Sequence, residues 1–134
     1  MKWAALVPEL VVSDITASRA FYIGVLGFVL EYEREGFAYL SFGEAQIMLE
    51  QVGNHWSTGM LERPFGRGIN LQIEIEDIGK FLDRIVAAGL PLFQPLQTSW
   101  YRADEVEHGQ SEFLIQDLDG YLLRFCENLG ERPA

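Results

Sequence analysis

The sequence repeats one order of structural elements twice, and this internal repeat constrains the fold more than any single motif. Asp14 and Gly27 in the first half correspond to Asp77 and Gly89 in the second half, at nearly the same spacing. In each half an apolar run precedes the aspartate, which can cap a helix, and the glycine is a typical helix stop. Three strand-like runs complete each half. The sequence therefore predicts an α+β fold of two βαβββ modules, whose curved mixed sheets surround one cleft.

The element boundaries follow from the alternation of apolar and polar residues and from the turn residues between the runs. In module one, at about 4–50, we predict strands at 4–12, 28–34, 37–42 and 45–50 and a helix at 15–26. In module two, at about 69–127, we predict strands at 69–76, 90–93, 112–116 and 121–127 and a helix at 78–88. The remaining stretches predict an irregular linker at 51–68, a polar and aromatic loop at 94–111 and a loose tail at 128–134. The length favours a single domain over residues 1–134.

The chain is strongly acidic, with a net charge of −10 and a pI of about 4.5. This balance argues against nucleic acid as a partner, because phosphate binding requires clustered lysine and arginine. An acidic surface is compatible with a cationic partner, although solubility alone also accounts for it. No apolar run is long enough for a membrane span, and Pro8 and Glu9 interrupt the first apolar run. We therefore expect a cytoplasmic protein without a membrane partner.

Several short motifs, in matching order and spacing, resemble the glyoxalase / bleomycin-resistance protein / dioxygenase superfamily, also called the vicinal oxygen chelate superfamily. The residues that carry the resemblance are Val7-Pro8, Asp14, Phe21-Tyr22, Leu26-Gly27-Phe28, Ile75-Glu76-Asp77-Ile78, Phe113 and Asp117-Leu118-Asp119-Gly120-Tyr121. The resemblance covers about residues 5–128 and implies the two-module fold. The superfamily includes metalloenzymes, such as glyoxalase I, ring-cleaving dioxygenases and fosfomycin thiol transferases, and also metal-free antibiotic-binding proteins.

In the metalloenzymes of this superfamily, four strand positions supply His, Glu or Gln ligands to the metal. By the resemblance, these positions fall at Val7, Met48, Asn70 and Arg124. A zinc, nickel or iron ion prefers imidazole or carboxylate ligands, which none of these residues offers. The guanidinium of Arg124 would also repel a metal cation. We therefore expect no metal, no other cofactor and no catalytic residue of the metalloenzyme type.

A second set of candidate ligands arises from a shift of two residues, which keeps side chains on the same face of a strand. This set consists of Glu9, Glu50, Gln72 and Cys126. We favour a structural interpretation, in which Glu9 or Glu50 pairs with Arg124 because a buried guanidinium requires an acidic partner. His55 and His108 lie in predicted loops without a second histidine nearby, so they are weak ligand candidates.

Within the superfamily, the sequence is most similar to the bleomycin-resistance proteins. In those proteins the residue matching Pro8 marks a strand exchanged between two subunits, and Tyr32 and Phe37 fall where aromatic residues contact the drug. Gln72 and His108 stand where those proteins carry aromatic residues. Aromatic residues in loops often line ligand sites. The predicted ligand-binding residues are Tyr32, Phe37, Tyr39, Trp56, Gln72, Trp100, Tyr101, His108 and Glu112.

The predicted function is metal-independent binding and sequestration of a bleomycin-type glycopeptide antibiotic, which would give antibiotic resistance without catalysis. Such a drug combines a cationic tail with flat bithiazole rings, and both features suit an acidic, aromatic cleft. The resemblance also implies a homodimer with an exchanged first strand. Two alternatives stay open. One is an enzyme of the same superfamily that uses the shifted ligand set or an acid/base residue such as Glu50 or Glu112, and the other is a binding module for an unrelated metabolite.

Overall fold

The computed structural model describes residues 1–53 and 56–134, and the chain divides into two compact units. Unit 1 contains Met1–Phe65 and Asp117–Gly120, and unit 2 contains Gly66–Gln116 and Tyr121–Ala134. The weak ligand candidate His55 lies outside the described residues. No helix in the described part of the chain is long and apolar enough to span a membrane.

Each unit contains one four-stranded sheet and a helix. The elements of unit 1 are β1 (Glu9–Val12), α1 (Ile15–Arg19), a π-helical continuation (Ala20–Leu26), β2 (Val29–Arg34), β3 (Phe37–Phe42) and β4 (Ala45–Gln51). Those of unit 2 are β5 (Asn70–Glu74), α2 (Ile78–Ala87), β6 (Gln94–Ala103), β7 (Val106–Gln116) and β8 (Leu122–Pro133). The strand orders are β1-β4-β3-β2 and β5-β8-β7-β6, and β1 and β5 run parallel to their neighbours β4 and β8. The units repeat one topology, which confirms the α+β fold of two βαβββ modules.

The helix boundaries confirm the capping signals of the sequence. Asp14 and Asp77 each accept a hydrogen bond from the backbone N–H three residues further on, at 3.1 and 3.2 Å. These bonds satisfy one of the free donors in the first helical turn. Gly27 and Gly89, which follow the helices, have φ angles of 92° and 74°, which L side chains rarely adopt. The glycines therefore allow the chain to leave each helix in a left-handed turn.

The turn between β7 and β8 belongs to unit 1 and is held by buried hydrogen bonds. Asp119 is only 1% exposed and accepts hydrogen bonds from the N–H and hydroxyl of Ser13 and from the Arg63 guanidinium. Asp117 accepts one from the Tyr22 hydroxyl at 2.6 Å. Hydrogen bonds to a charged acceptor are stronger than those between neutral groups. The Asp117-Leu118-Asp119-Gly120 turn, which is one of the motifs that resemble the superfamily, therefore has a structural role in this protein.

The second half of unit 2 differs from the prediction. Residues 90–93, predicted as a strand, are irregular, and residues 94–111, predicted as a loop, form β6 and the first part of β7. The predicted loose tail instead extends β8 as far as Pro133. These stretches are largely exposed, so they lack the apolar alternation that marks a half-buried strand. Pro95 is tolerated because β6 is an edge strand whose register shifts next to it.

The first strand is shorter than the predicted stretch of residues 4–12. β1 begins at Glu9, and the carbonyl oxygen of Pro8 accepts one further hydrogen bond from the Met48 N–H at 2.9 Å. The residues before β1 follow an irregular path, and the Ala4 N–H donates a hydrogen bond to the Gln46 side chain. β1 pairs with β4 of its own chain, and exchange of this strand between two subunits stays a prediction.

Candidate functional site

In each unit, one face of the sheet packs against the helix. In unit 2, the ring of Phe81 in α2 lies 4.7 Å from that of Phe125 in β8, measured between centroids. In unit 1, Tyr22 of the helix contacts Phe28, which in turn contacts Phe42 of β3. Side chains alternate along a strand, so the sequence neighbours of these strand residues point to the opposite face. We call this opposite side the helix-free face of each unit.

Three of the predicted ligand-binding residues meet on the helix-free face of unit 1. Tyr32 stacks on Tyr39 with 5.3 Å between ring centroids and an angle of 18° between ring planes, and it lies 5.7 Å from Phe37. The register of β2 and β3 places Tyr32 directly opposite Tyr39. Phe37 and Tyr39 are buried, whereas Tyr32 is 41% exposed. The arrangement therefore offers one accessible ring on a rigid aromatic base.

Trp3 joins these rings, and the sequence analysis missed it. Its ring centroid lies 4.8 Å from that of Tyr39 and 5.6 Å from that of Tyr32, and its plane is nearly perpendicular to both. No local signal identifies such a residue, because the contact joins an irregular segment to two later strands. We name Trp3, Tyr32, Phe37 and Tyr39 the aromatic cluster.

Gln46 of β4 attaches the segment around Trp3 to the sheet. Its Oε1 atom accepts hydrogen bonds from the Tyr39 hydroxyl at 2.6 Å and from the Ala4 N–H at 2.8 Å. Its Nε2 group donates to the Lys2 carbonyl oxygen at 2.6 Å. The side chain is buried, and leaving buried polar groups without partners is costly. Trp3 is therefore held by backbone anchors on both of its sides.

Charged groups lie beside the aromatic cluster. Glu31 accepts a hydrogen bond from a serine hydroxyl of β3 at 2.6 Å, and the Arg34 guanidinium lies 3.7 Å from the ring centroid of Phe37. Burial raises the pKa of Tyr39 above its usual value, and the neighbouring Tyr32 and Glu31 raise it further. At neutral pH the phenol therefore stays protonated and acts as a hydrogen-bond donor.

The helix-free face of unit 2 carries hydrogen-bonding groups. The Arg124 guanidinium lies 3.6 Å from Glu112, which also accepts a hydrogen bond from the Gln110 amide at 2.9 Å. Gln72 lies directly across from Arg124 on the neighbouring strand β5. The buried Nε of Arg124 has no hydrogen-bond partner within the part of the chain that the structure describes. Two predicted ligand-binding residues, Gln72 and Glu112, thus flank a single guanidinium.

The acidic partner of Arg124 differs from the predicted one. We predict Glu9 or Glu50, but the ion pair in the structure joins Arg124 to Glu112. The strand order explains this, because β7 lies beside β8 and brings Glu112 within reach on the same face. Cys126 lies across from Glu112 and is buried, and burial raises the pKa of its thiol. A protonated, buried thiol is a poor nucleophile.

Tyr101, His108 and Trp56 lie outside both of these groups. Tyr101 and His108 face each other across β6 and β7 on the helix-free side, where His108 lies 3.6 Å from Glu131. Both side chains are exposed near the turn that joins β6 and β7. Trp56 lies in the irregular segment after β4 and is 96% exposed. Ligand contacts by these three residues stay a prediction.

Trp100 points to the other side of the sheet from Glu112. The register pairs Trp100 with Gly109, which alternates with the helix-free positions of β7. The indole lies so close to Gly109 that an added Cβ atom would be 2.6 Å from it, and the Arg132 guanidinium lies 4.0 Å from the ring centroid. Trp100 therefore packs on the hairpin of β6 and β7, and its contact with a ligand stays a prediction.

The register also places the candidate metal positions. Glu9 lies across from Met48 in the parallel pair of β1 and β4, and Gln72 lies across from Arg124 in the pair of β5 and β8. A thioether beside a carboxylate, or an amide beside a guanidinium, does not fit a divalent ion. Among the described residues, no three His, Cys, Asp or Glu side chains come together to hold a metal. Metal-independent function stays a prediction.

The two-module fold defines the class of protein, and comparison with known proteins agrees. Residues 4–125 match the Glyoxalase/Bleomycin resistance protein/Dioxygenase superfamily, and the chain belongs to this superfamily. A bleomycin resistance protein of Geobacillus stearothermophilus is 27% identical over 135 residues, covering 92% of this chain and 96% of that protein.

Two solved structures show the same fold. TioX from Micromonospora sp. ML1 has a TM-score of 0.72 at 22% identity, covering 95% of this chain and 100% of that chain. A bleomycin resistance determinant encoded on the transposon Tn5 has a TM-score of 0.65 at 18% identity, covering 95% of this chain and 99% of that chain. At these identities the similarity concerns the fold alone.

Proposed function

We propose that this protein binds and sequesters a bleomycin-type glycopeptide antibiotic in the cytoplasm, without a metal and without catalysis, and so gives antibiotic resistance. The observation that carries the proposal is the stack of Tyr32 on Tyr39, which leaves one ring accessible on the helix-free face of unit 1. The bleomycin resistance protein that aligns along nearly the whole chain supports the same class of ligand.

The chemistry of such an antibiotic suits the aromatic cluster. Flat bithiazole rings can stack on aromatic side chains, and each stacked pair contributes about 0.5–1.5 kcal/mol beyond burial. A cationic tail is attracted by ring faces and by carboxylates such as Glu31. The net charge of −10 raises the concentration of cationic ligands near the surface. Binding alone would keep the drug from its target, so no bond has to be made or broken.

The helix-free face of unit 2 supports recognition more than acid/base chemistry. Arg124 and Glu112 neutralise each other in an ion pair, and the Cys126 thiol is buried. The amides of Gln72 and Gln110 can exchange hydrogen bonds with the polar groups of a glycopeptide. We propose that these groups orient the ligand, while the aromatic cluster supplies most of the affinity.

We further propose that the protein is a homodimer with an exchanged first strand, as the family resemblance implies. Light scattering at micromolar protein concentration should report the mass of two chains. A mass of one chain under those conditions would contradict this part of the proposal.

Isothermal titration calorimetry with copper-free and copper-loaded bleomycin tests the binding proposal. We expect saturable binding of about one drug molecule per chain, with a dissociation constant below about 1 µM. Tyr32→Ala should weaken binding, and Leu118→Ala is the control because Leu118 is an exposed apolar residue of unit 1 in the turn between β7 and β8. No binding up to about 100 µM drug, or a tightly held transition metal in the purified protein, would contradict the proposal.

A further inference from the structure

Trp3 lies beside the tyrosine stack. The three ring centroids form a nearly equilateral triangle, with 4.8 Å from Trp3 to Tyr39, 5.6 Å from Trp3 to Tyr32 and 5.3 Å between the tyrosines. The indole plane is nearly perpendicular to both tyrosine rings, so each pair has a T-shaped geometry. Trp3 is nevertheless 56% exposed, so much of this residue stays accessible beside the stack.

The Gln46 amide gives this exposed indole a fixed position. It binds the carbonyl oxygen of Lys2 and the N–H of Ala4, the residues on either side of Trp3, and the Tyr39 hydroxyl orients the amide in turn. An exposed side chain in an irregular segment would otherwise lose conformational freedom when a ligand binds. Fixing it beforehand lowers this entropic cost, which is the general benefit of pre-organisation.

The surroundings of Trp3 favour a cationic aromatic ligand. Among aromatic side chains, indole attracts cations most strongly. The carboxylate of Glu31 lies on the same face and is close enough to act electrostatically on Tyr39. The surroundings of Trp3 therefore offer flat apolar rings and a carboxylate, while the Arg34 guanidinium beside the aromatic cluster lies over the Phe37 ring.

We propose that Trp3 forms the outer wall of the ligand site, where its exposed indole stacks on the flat rings of a cationic ligand. Gln46 is the positioning residue that holds this wall in place. The inference rests on the proposed function for the identity of the ligand, and it assigns the indole and its anchor a role in recognition.

Titrations of Trp3→Ala test the wall with two probes, copper-free bleomycin and thioflavin T, a small flat aromatic cation. Loss of one stacked ring should raise the dissociation constant about two- to tenfold for both probes. Trp3→Phe should restore part of the affinity, because phenylalanine keeps a smaller ring. Leu6→Ala is the matched control, since Leu6 is an exposed apolar residue of the same irregular segment, and it should leave both constants unchanged.

A double-mutant cycle tests the role of Gln46. Gln46→Met keeps the length of the side chain but removes its hydrogen bonds, and it should weaken binding in the wild-type background. In the Trp3→Ala background the same change should have no further effect, because the positioned ring is already absent. An equal loss in both backgrounds would show a merely structural role for Gln46. Circular dichroism checks that each variant is folded.

The outcomes separate this inference from the proposed function. If the wild-type protein binds thioflavin T through Trp3 but does not bind bleomycin, the proposed antibiotic is wrong and the role of Trp3 is supported. If it binds bleomycin and Trp3→Ala binds equally well, the drug assignment stands and the wall is overturned. If it binds neither probe, both are overturned.

Discussion

The helix-free faces of the two units have the same strand order but different chemistry. Unit 1 carries the aromatic cluster there, whereas unit 2 carries Arg124, Glu112 and Gln72. The helix-facing sides are alike, since both are apolar and bury side chains such as Leu40 in unit 1 and Phe113 in unit 2 completely. The comparison teaches that the repeat preserves the framework and leaves the exposed chemistry free to diverge.

The helix-facing and helix-free faces of each sheet differ because they meet different physical requirements. A sheet is stable when it buries one apolar face against another layer, so the helix-facing positions are restricted to apolar side chains. The other face tolerates polar groups as long as their hydrogen bonds are satisfied. In unit 1, Gln46 meets this condition through Tyr39 and the neighbouring backbone, and in unit 2, Glu112 meets it through Gln110 and Arg124.

The strongest effect should come from truncating a buried side chain on the helix-facing side of either sheet. Phe113→Ala and Leu40→Ala should each lower the free energy of unfolding by about 2–5 kcal/mol, because truncating a fully buried side chain leaves a cavity. Urea denaturation followed by circular dichroism measures the change. Tyr101→Ala, at an exposed helix-free position, is the control and should cost less than about 1 kcal/mol. Equal losses at the three positions would contradict the two-faced description of the sheets.

A smaller effect should appear at a hydrogen bond of unit 1. Tyr22→Phe removes the hydroxyl that donates to Asp117 at 2.6 Å, and it should lower the free energy of unfolding by about 1–3 kcal/mol. The helix of unit 2 buries the apolar Ile85 instead. Thermal unfolding measures the loss, and Tyr101→Phe, which removes an exposed hydroxyl, should be neutral. An unchanged midpoint for Tyr22→Phe would show that the turn is held by its other bonds.

Ligand binding tests the contrast between the aromatic cluster of unit 1 and the polar groups of unit 2. Tyr32→Ala should raise the dissociation constant for bleomycin about tenfold, because it removes a stacking surface and its burial. Gln72→Ala should raise it about threefold, the usual effect of one neutral hydrogen bond. Calorimetry measures both constants. A larger effect of Gln72→Ala would move the main recognition surface to unit 2.

The smallest expected effect is a pH dependence in unit 1. Burial, followed by Tyr32 and Glu31, raises the folded-state pKa of Tyr39 above its usual value of 10.0. The folded protein then holds this proton more tightly than the unfolded chain does. The resulting stability is present below about pH 10 and is lost as the pH rises through the folded-state pKa.

Urea midpoints measured across the alkaline range test this dependence. They should fall less steeply for Tyr39→Phe than for the wild-type protein, because phenylalanine has no proton to lose. Tyr101→Phe serves as the control and should follow the wild-type curve. Parallel curves for Tyr39→Phe and the wild-type protein would rule out the effect.

The framework of this protein could be predicted from sequence wherever a local signal decides the structure. Asp14 and Asp77 cap helices through bonds to residues three positions away, and Gly27 and Gly89 end them through their own backbone angles. The prediction failed for β6, the first part of β7 and the end of β8. Those strands are stabilised by pairing with each other, and their exposed side chains carry no apolar period.

The repeat, the helix caps and the alternation that places Phe37 and Tyr39 on one side of β3 follow from the sequence alone. The register of β2 and β3, which shifts between Leu30 and Tyr32, then brings Tyr32 to the same side. Only the tertiary structure decided that Trp3 joins these rings, that Glu112 neutralises Arg124, and that Trp100 covers Gly109 on the other side of its sheet. Caps and alternation depend on residues that are close along the chain. The other contacts depend on strand order and register, which bring distant residues together only when the whole sheet has formed.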